Sequence, residues 1–246
     1  MNTKTLRQIE EMKKQTIGVE VEMNNITRNK AAKIAAEFFG TGRFENTADR
    51  NGYCTWSAYD EQGREWKFQK DVSIAGIDSE KCEMVTPILN YSDIETLQEL
   101  VRILRKAGAK SDSTRGCGVH IHIGAKGHTA KTLRNLANIM ASHEQLLIDA
   151  LNLDEVRVRR YCRTVDIRFL EQVNRRKPKT MSELADVWYK SHDENYGRSH
   201  HYNGSRYHML NLHATFTKGT VEFRLFQFDK PSNCLLYTSP SPRDTR

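Results

Sequence analysis

Three short segments of the chain repeat one design: GVEVEM at residues 18–23, GVHIHI at 118–123 and TVEFRLF at 220–226. In each, polar residues with useful chemistry occupy every second position and Val, Ile, Leu, Met or Phe fill the gaps. Period-two alternation is the pattern of a strand with one face packed in a core. Residues two apart on a strand project from the same face, about 7 Å apart along the chain. Glu20 with Glu22, His120 with His122 and Glu222 with Arg224 are therefore three same-face pairs. The chain must build a sheet that packs one side and lines water or a cleft with the other.

The remaining segments fill in the rest of the architecture. Residues 31–39 carry Ile34, Ala35, Phe38 and Phe39 at helical spacing and stop at Gly40. Residues 53–59 and 64–69 read as a hairpin around Asp60-Glu61-Gln62-Gly63, with Trp56 and Trp66 packing on it. Residues 81–86 form another short strand before Pro87. Ser92-Asp93-Ile94-Glu95 has the form of a capping box opening a helix that runs to Gly108. A longer helix spans 129–152, and Thr180-Met181-Ser182-Glu183 is a second capping box. Residues 191–205 are polar, His-rich and read as a mobile loop, and 206–214 and 220–227 as two strands around Thr217-Lys218-Gly219. Hairpin-linked strands with helices in blocks predict an α+β fold with a largely antiparallel sheet.

With 246 residues, and roughly 100 to 200 per domain, one domain over 16–230 is expected, behind an N-terminal extension at 1–15. The first residues, MNTKTLRQIEEMKK, lack the apolar stretch of a secretory signal. No apolar run approaches the roughly 20 residues of a membrane span, so a cytoplasmic protein without membrane partners is expected. The five cysteines are odd in number and form no Cys-x-x-Cys pair, which speaks for reduced thiols. Residues 231–246 break the pattern with Ser-Pro-Ser-Pro and read as a non-native or disordered tail, so that the domain is expected to be truncated at its C-terminal end.

The net charge of +7 is concentrated between residues 157 and 179, where nine Arg and Lys face only Asp166 and Glu171. Such a run is either a solvated helical face or a patch that steers anions. No nucleic-acid-binding motif accompanies it.

A sheet face that gathers several carboxylates with imidazole is electrostatically unstable without cations, because clustered like charges disfavour ionisation of one another. Bound divalent metal resolves this. Oxygen ligands with one imidazole suit Mg²⁺ or Mn²⁺, although His120 and His122 with a carboxylate are also a zinc-type set. Glu83, in CEMVTP, and Asp71, in KDVS, are further candidates.

GVEVE, KDVS followed by CEMVTPIL, CGVHIHIG and RYHMLNLHATFTKGTVEFRLF, in this order, resemble the motif set of the amidoligase family. These are carboxylate-amine ligases of the glutamine synthetase and glutamate-cysteine ligase superfamily. The resemblance spans about residues 16–228 and implies an antiparallel sheet curved into an open half-barrel with helices outside. It implies an ATP-dependent enzyme using Mg²⁺ or Mn²⁺ that joins small-molecule or peptide carboxylates and amines. By the same resemblance Glu20, Glu22, Glu83, His120 and Glu222 match metal ligands, and His122 a residue near the ATP phosphates. Arg224 matches a group facing the phosphates or the acyl phosphate, so that Arg224, Glu83 and Asp71 would carry the chemistry. Arg206, Asn211 and Lys70 fall in motif segments near the nucleotide. Many relatives have Gly after the Asp of KDVS, where this chain has Val72, which sets the tightness of that loop in question. Two other classes are compatible with the residues: a metal-dependent hydrolase, which would turn over without ATP, and a basic nucleic-acid-binding protein, which would bind in a salt-sensitive way.

Overall fold

The computed structural model describes residues 3–50, 52–192 and 197–227. The predicted tail at 231–246 and residues 193–196 of the predicted loop lie outside these. The helices are α1 Thr3–Lys13, α2 Arg28–Phe38, α3 Ile94–Lys106, α4 Ala130–Leu151, α5 Glu155–Arg160, α6 Ile167–Arg176, α7 Met181–Ser191 and α8 His213–Thr217. The strands are β1 Ile17–Met23, β2 Phe44–Asn46, β3 Trp56–Tyr59, β4 Glu65–Gln69, β5 Cys82–Val85, β6 Val119–Gly124, β7 Leu210–Asn211 and β8 Thr220–Phe226. They follow the hydrogen-bonded order β2-β3-β4-β5-β1-β6-β8-β7, a large open sheet with β2 and β7 as its ends. The pairs β2/β3, β3/β4, β4/β5, β5/β1 and β8/β7 are antiparallel. No helix among the described residues is long and apolar enough to cross a membrane.

By compactness the chain divides within β6, into a first unit that ends at Ile121 and also takes in Gln227, and a second unit, His122–Phe226. In the first unit the apolar positions of β1, Val19, Val21 and Met23, are buried together with Ala58, Trp66, Phe68 and Met84. Helix α2 packs on β3, β4 and α3 and presents Ala31, Ala32, Ala35 and Ala36, all fully buried. Four small side chains on one face let a helix approach its neighbours closely, and Phe39, just past its end, stacks on Trp66 at 5.0 Å. Leu97, Leu100 and Leu104 of α3 complete this core. Truncating such a leucine to Ala costs about 2–5 kcal/mol.

The β3/β4 hairpin forms as its sequence predicts. Asp60 Oδ1 accepts from the backbone N–H of Gln62 and Arg64, its Oδ2 from Trp66 Nε1, and Gly63 closes the turn with φ of 75°. The start of α3 differs from expectation. Asn90 and Asp93 form the reciprocal cap around a 3₁₀ turn at Tyr91–Asp93, and Ser92 lies inside that turn. Asn caps as well as Ser, and its position lets Asp93 pair with Arg64 at 2.9 Å.

In the second unit, Leu133, Ala137 and Met140 of α4 pack with Phe169 and Val173 of α6 and with Leu184, Val187 and Trp188 of α7. Val221 and Leu225 give this core the apolar face of β8. Thr180 caps α7 by accepting from Glu183 N, while the Glu183 side chain accepts from Lys179 N instead of closing a box on Thr180. Residues 206–214 are not the predicted strand. Only Leu210–Asn211 pair with β8, after which Asn211 Oδ1 accepts from Ala214 N and the chain turns into α8. Side-chain oxygen from Asn competes with a ladder in this way. Residues 197–205, read from composition as mobile, are tied down. Tyr189 Oη donates to Arg198 O, Arg198 pairs with Asp186 at 2.6 Å, and Trp188 Nε1 donates to Ser205 Oγ at 3.0 Å.

Candidate functional site

The polar face of β1 is buried at Glu22 and half-buried at Glu20. Glu22 is 3% exposed, Glu83 on β5 is 6% and His120 on β6 is 3%. Antiparallel register sets Glu22 directly opposite Glu83, and Glu83 directly opposite Gln69 of β4. Like charges in directly opposed positions repel. His120 stands between the two β1 carboxylates, with Nδ1 at 3.0 Å from Glu20 Oε2 and Nε2 at 3.9 Å from Glu22 Oε1. Glu20, Glu83 and His120 each offer a ligand atom within 4.8 Å of one another, and so do Glu22, Asp71 and Glu83. Glu83 belongs to both groups.

This arrangement is costly as it stands. Burial, and then the charges of Glu20, Glu22 and Asp71, push the Glu83 carboxyl well above its usual range, and a hydrogen bond from Gln69 Nε2 to Oε2 at 2.7 Å pulls the other way. Carboxylates clustered around one imidazole are a donor set suited to hard divalent cations, so the residues fit Mg²⁺ or Mn²⁺. Asp71 is held in reach by its own loop, with Ser73 N donating to Oδ1 at 2.6 Å. Val72 is 71% exposed and does not take the left-handed backbone that would require Gly, so the loop closes without one. Lys70 pairs with Asp78 at 2.6 Å.

The second unit carries Glu222 and Arg224 on β8. Glu222 is 2% exposed and Arg224 4%. Arg224 Nη1 donates to Glu222 Oε1 at 2.5 Å and Asn211 Nδ2 donates to Oε2 at 2.7 Å. His122 places Nε2 3.9 Å from Glu222 Oε1, while its Nδ1 meets Thr220 Oγ1 at 2.9 Å. Here the carboxylate is matched by a guanidinium. Each Glu222 oxygen keeps a second lone pair beyond the hydrogen bond it accepts, so the carboxylate can still ligate a metal. The Arg206 guanidinium lies 5.6 Å and that of Arg224 5.8 Å from the Tyr207 ring centre, and Arg206 Nη1 donates to His201 O.

Three supporting residues escaped the sequence reading. Gln69 anchors Glu83, Thr220 orients His122, and Arg157 Nη2 donates to Arg224 O at 3.0 Å. Arg157 is the one buried basic residue of this segment, and the other eight Arg and Lys are exposed. Most of that segment is thus a solvated face, while Arg157 holds the backbone of a site residue. Thr220 sits two residues before Glu222 on the same strand face, which was a usable signal. Gln69 needed the β4/β5 register, and Arg157 looked like its surface neighbours.

A buried carboxylate cluster that could hold a divalent cation thus lies on an open α+β sheet whose strand β8 also carries a Glu-Arg pair. The family model described as "Putative amidoligase enzyme" matches residues 13–231, and the chain belongs to that family. No similar curated protein and no similar solved structure is found.

Proposed function

We propose that the protein is an ATP-dependent ligase that joins a carboxylate to an amine through an acyl phosphate. The observation that carries this reading is Glu83, buried, shared by two ligand groups and pressed by the like charges of Glu20, Glu22 and Asp71. Family membership supplies the reaction class. On this reading the open sheet is the half-barrel of the glutamine synthetase and glutamate-cysteine ligase superfamily, and the enzyme works on cytoplasmic ATP and small-molecule or peptide substrates.

A carboxylate oxygen of the acid attacks the γ-phosphorus, the bond to the β-phosphate oxygen breaks, and ADP leaves. The amine nitrogen then attacks the acyl carbon, the C–O bond to phosphate breaks, and the nitrogen loses a proton as the amide forms. Mg²⁺ or Mn²⁺, when bound, would neutralise phosphate oxygens and align them. Glu20, Glu22, Glu83, Asp71 and His120 would hold it, with Glu222 as a further ligand. Arg224 offers a planar fork of donors to phosphoryl oxygens, and its backbone is fixed on both sides, N–H to Met209 O and C=O to Arg157. His122, oriented by Thr220, and Asn211, opposite Glu222, lie along the start of β8, and Arg206 would add a further positive charge for the nucleotide.

Calorimetric titration of ATP into the protein and its Glu20→Gln variant, with and without Mg²⁺, tests the proposal. The expected result is binding that requires metal and is lost in the variant, with ADP released once an acid and an amine are added. A folded wild-type protein that binds no ATP in Mg²⁺, or a variant that binds as wild type does, would overturn it.

A further inference from the structure

We propose that Gln69 is a positioning residue for the metal-ligating carboxylate of Glu83. This inference rests on the cation-binding reading given above. Gln69 lies directly across β4/β5 from Glu83, which in turn lies directly across β5/β1 from Glu22, so the three residues form one row over three strands. The Gln69 amide donates to Glu83 Oε2 at 2.7 Å. That contact fixes the rotation of the one carboxylate that must stay within reach of Glu20 and His120 on one side and of Glu22 and Asp71 on the other.

The residue type matters. Lys or Arg at this position would place a fixed positive charge beside Glu83, in competition with metal. Glu would add a further like charge. Asn is one methylene too short to span the same row. A neutral amide of Gln length directs the carboxylate and leaves its charge for metal. Partners that orient ligands in this way typically tune metal affinity by 10- to 100-fold.

The test is titration of the metal-free protein with Mn²⁺, following free Mn²⁺ by electron paramagnetic resonance, for wild type, Gln69→Leu and Gln69→Asn. Both variants are expected to bind Mn²⁺ about 10- to 100-fold more weakly while remaining folded in EDTA. A purely structural role would instead lower the unfolding midpoint in EDTA and leave the Mn²⁺ affinity of the folded chain unchanged, which would overturn the inference. If Gln69→Leu does not fold, Gln69→Asn decides by the same criteria. Wild-type protein that takes up no Mn²⁺ overturns the cation-binding reading and this inference together. Tight uptake by wild type and both variants alike overturns only the role of Gln69.

Discussion

Glu83 and Glu222 invite comparison because so much about them is alike. Each is buried in the middle of a strand, and each has one oxygen held at 2.7 Å by a side-chain amide, from Gln69 and Asn211 respectively. They differ in what faces the other oxygen. Glu222 meets the Arg224 guanidinium, whereas Glu83 shares its surroundings with Glu20, Glu22 and Asp71. The second unit balances its buried charge from its own sequence. The carboxylates of the first unit are a donor set that fits a divalent cation, whereas Glu222 already has a guanidinium beside it.

The largest effect should come from removing each partner in turn. Arg224→Met strands a buried carboxylate, and loss of one member of a buried pair costs about 3–5 kcal/mol, measurable by urea denaturation. Glu83→Gln should do the opposite in EDTA and raise stability, because it removes a charge buried among like charges. If Glu83→Gln weakens the metal-free protein as Arg224→Met does, the contrast between the two carboxylates is false.

Acid sharpens the same contrast. Burial, above all, holds His208 down to about 3 and His213 to about 4, and lowers His192 as well. Their folded values lie below the unfolded value of roughly 6.5, so the unfolded chain takes up protons first. The stability they confer is complete above that value and is lost as pH falls through about 4, at up to about 1.4 kcal/mol per pH unit for each histidine. Glu83 runs the other way. Its folded value is raised, so in the metal-free protein it favours the fold at low pH and loses that contribution as pH climbs past the ordinary carboxylate range. Hydrogen exchange in EDTA at pH 5 and pH 7 should show β7, α8 and β8 losing protection in acid while β1 and β5 gain it. Parallel changes in both units would contradict this.

The smallest expected effect is Val72→Gly. Val72 is exposed and needs no special backbone, so the change should cost no more than about 1 kcal/mol through unfolded-chain entropy. Mn²⁺ uptake should be unchanged. A larger loss of uptake would mean that the Asp71 loop depends on its side chain for more than shape.

Much of this was legible in the sequence because alternation ties chemistry to geometry. Once 18–23, 118–123 and 220–226 are strands, Glu20 must share a face with Glu22, His120 with His122, and Glu222 with Arg224. What alternation does not convey is pairing. The row Gln69, Glu83, Glu22 exists only through the registers of β4, β5 and β1, and nothing local to Gln69 announces it. Local capping rules erred where two caps competed, with Asn90 taking the role expected of Ser92. The stretch 206–214 failed as a strand because Asn211 spends its side chain on the start of α8 and on Glu222. Arg157 was hidden for the opposite reason, since a buried arginine among exposed ones has no signature of its own.

On the reading proposed above, divalent cations complete the carboxylate cluster of the first unit. The most direct test is the thermal unfolding midpoint of the metal-free protein as Mn²⁺ is added, for wild type and Glu83→Gln. The midpoint should rise with Mn²⁺ in wild type, as required when a ligand binds only the folded state, and stay put in the variant. A folded wild-type protein whose midpoint does not move at millimolar Mn²⁺, or a variant that gains as much as wild type, would contradict it.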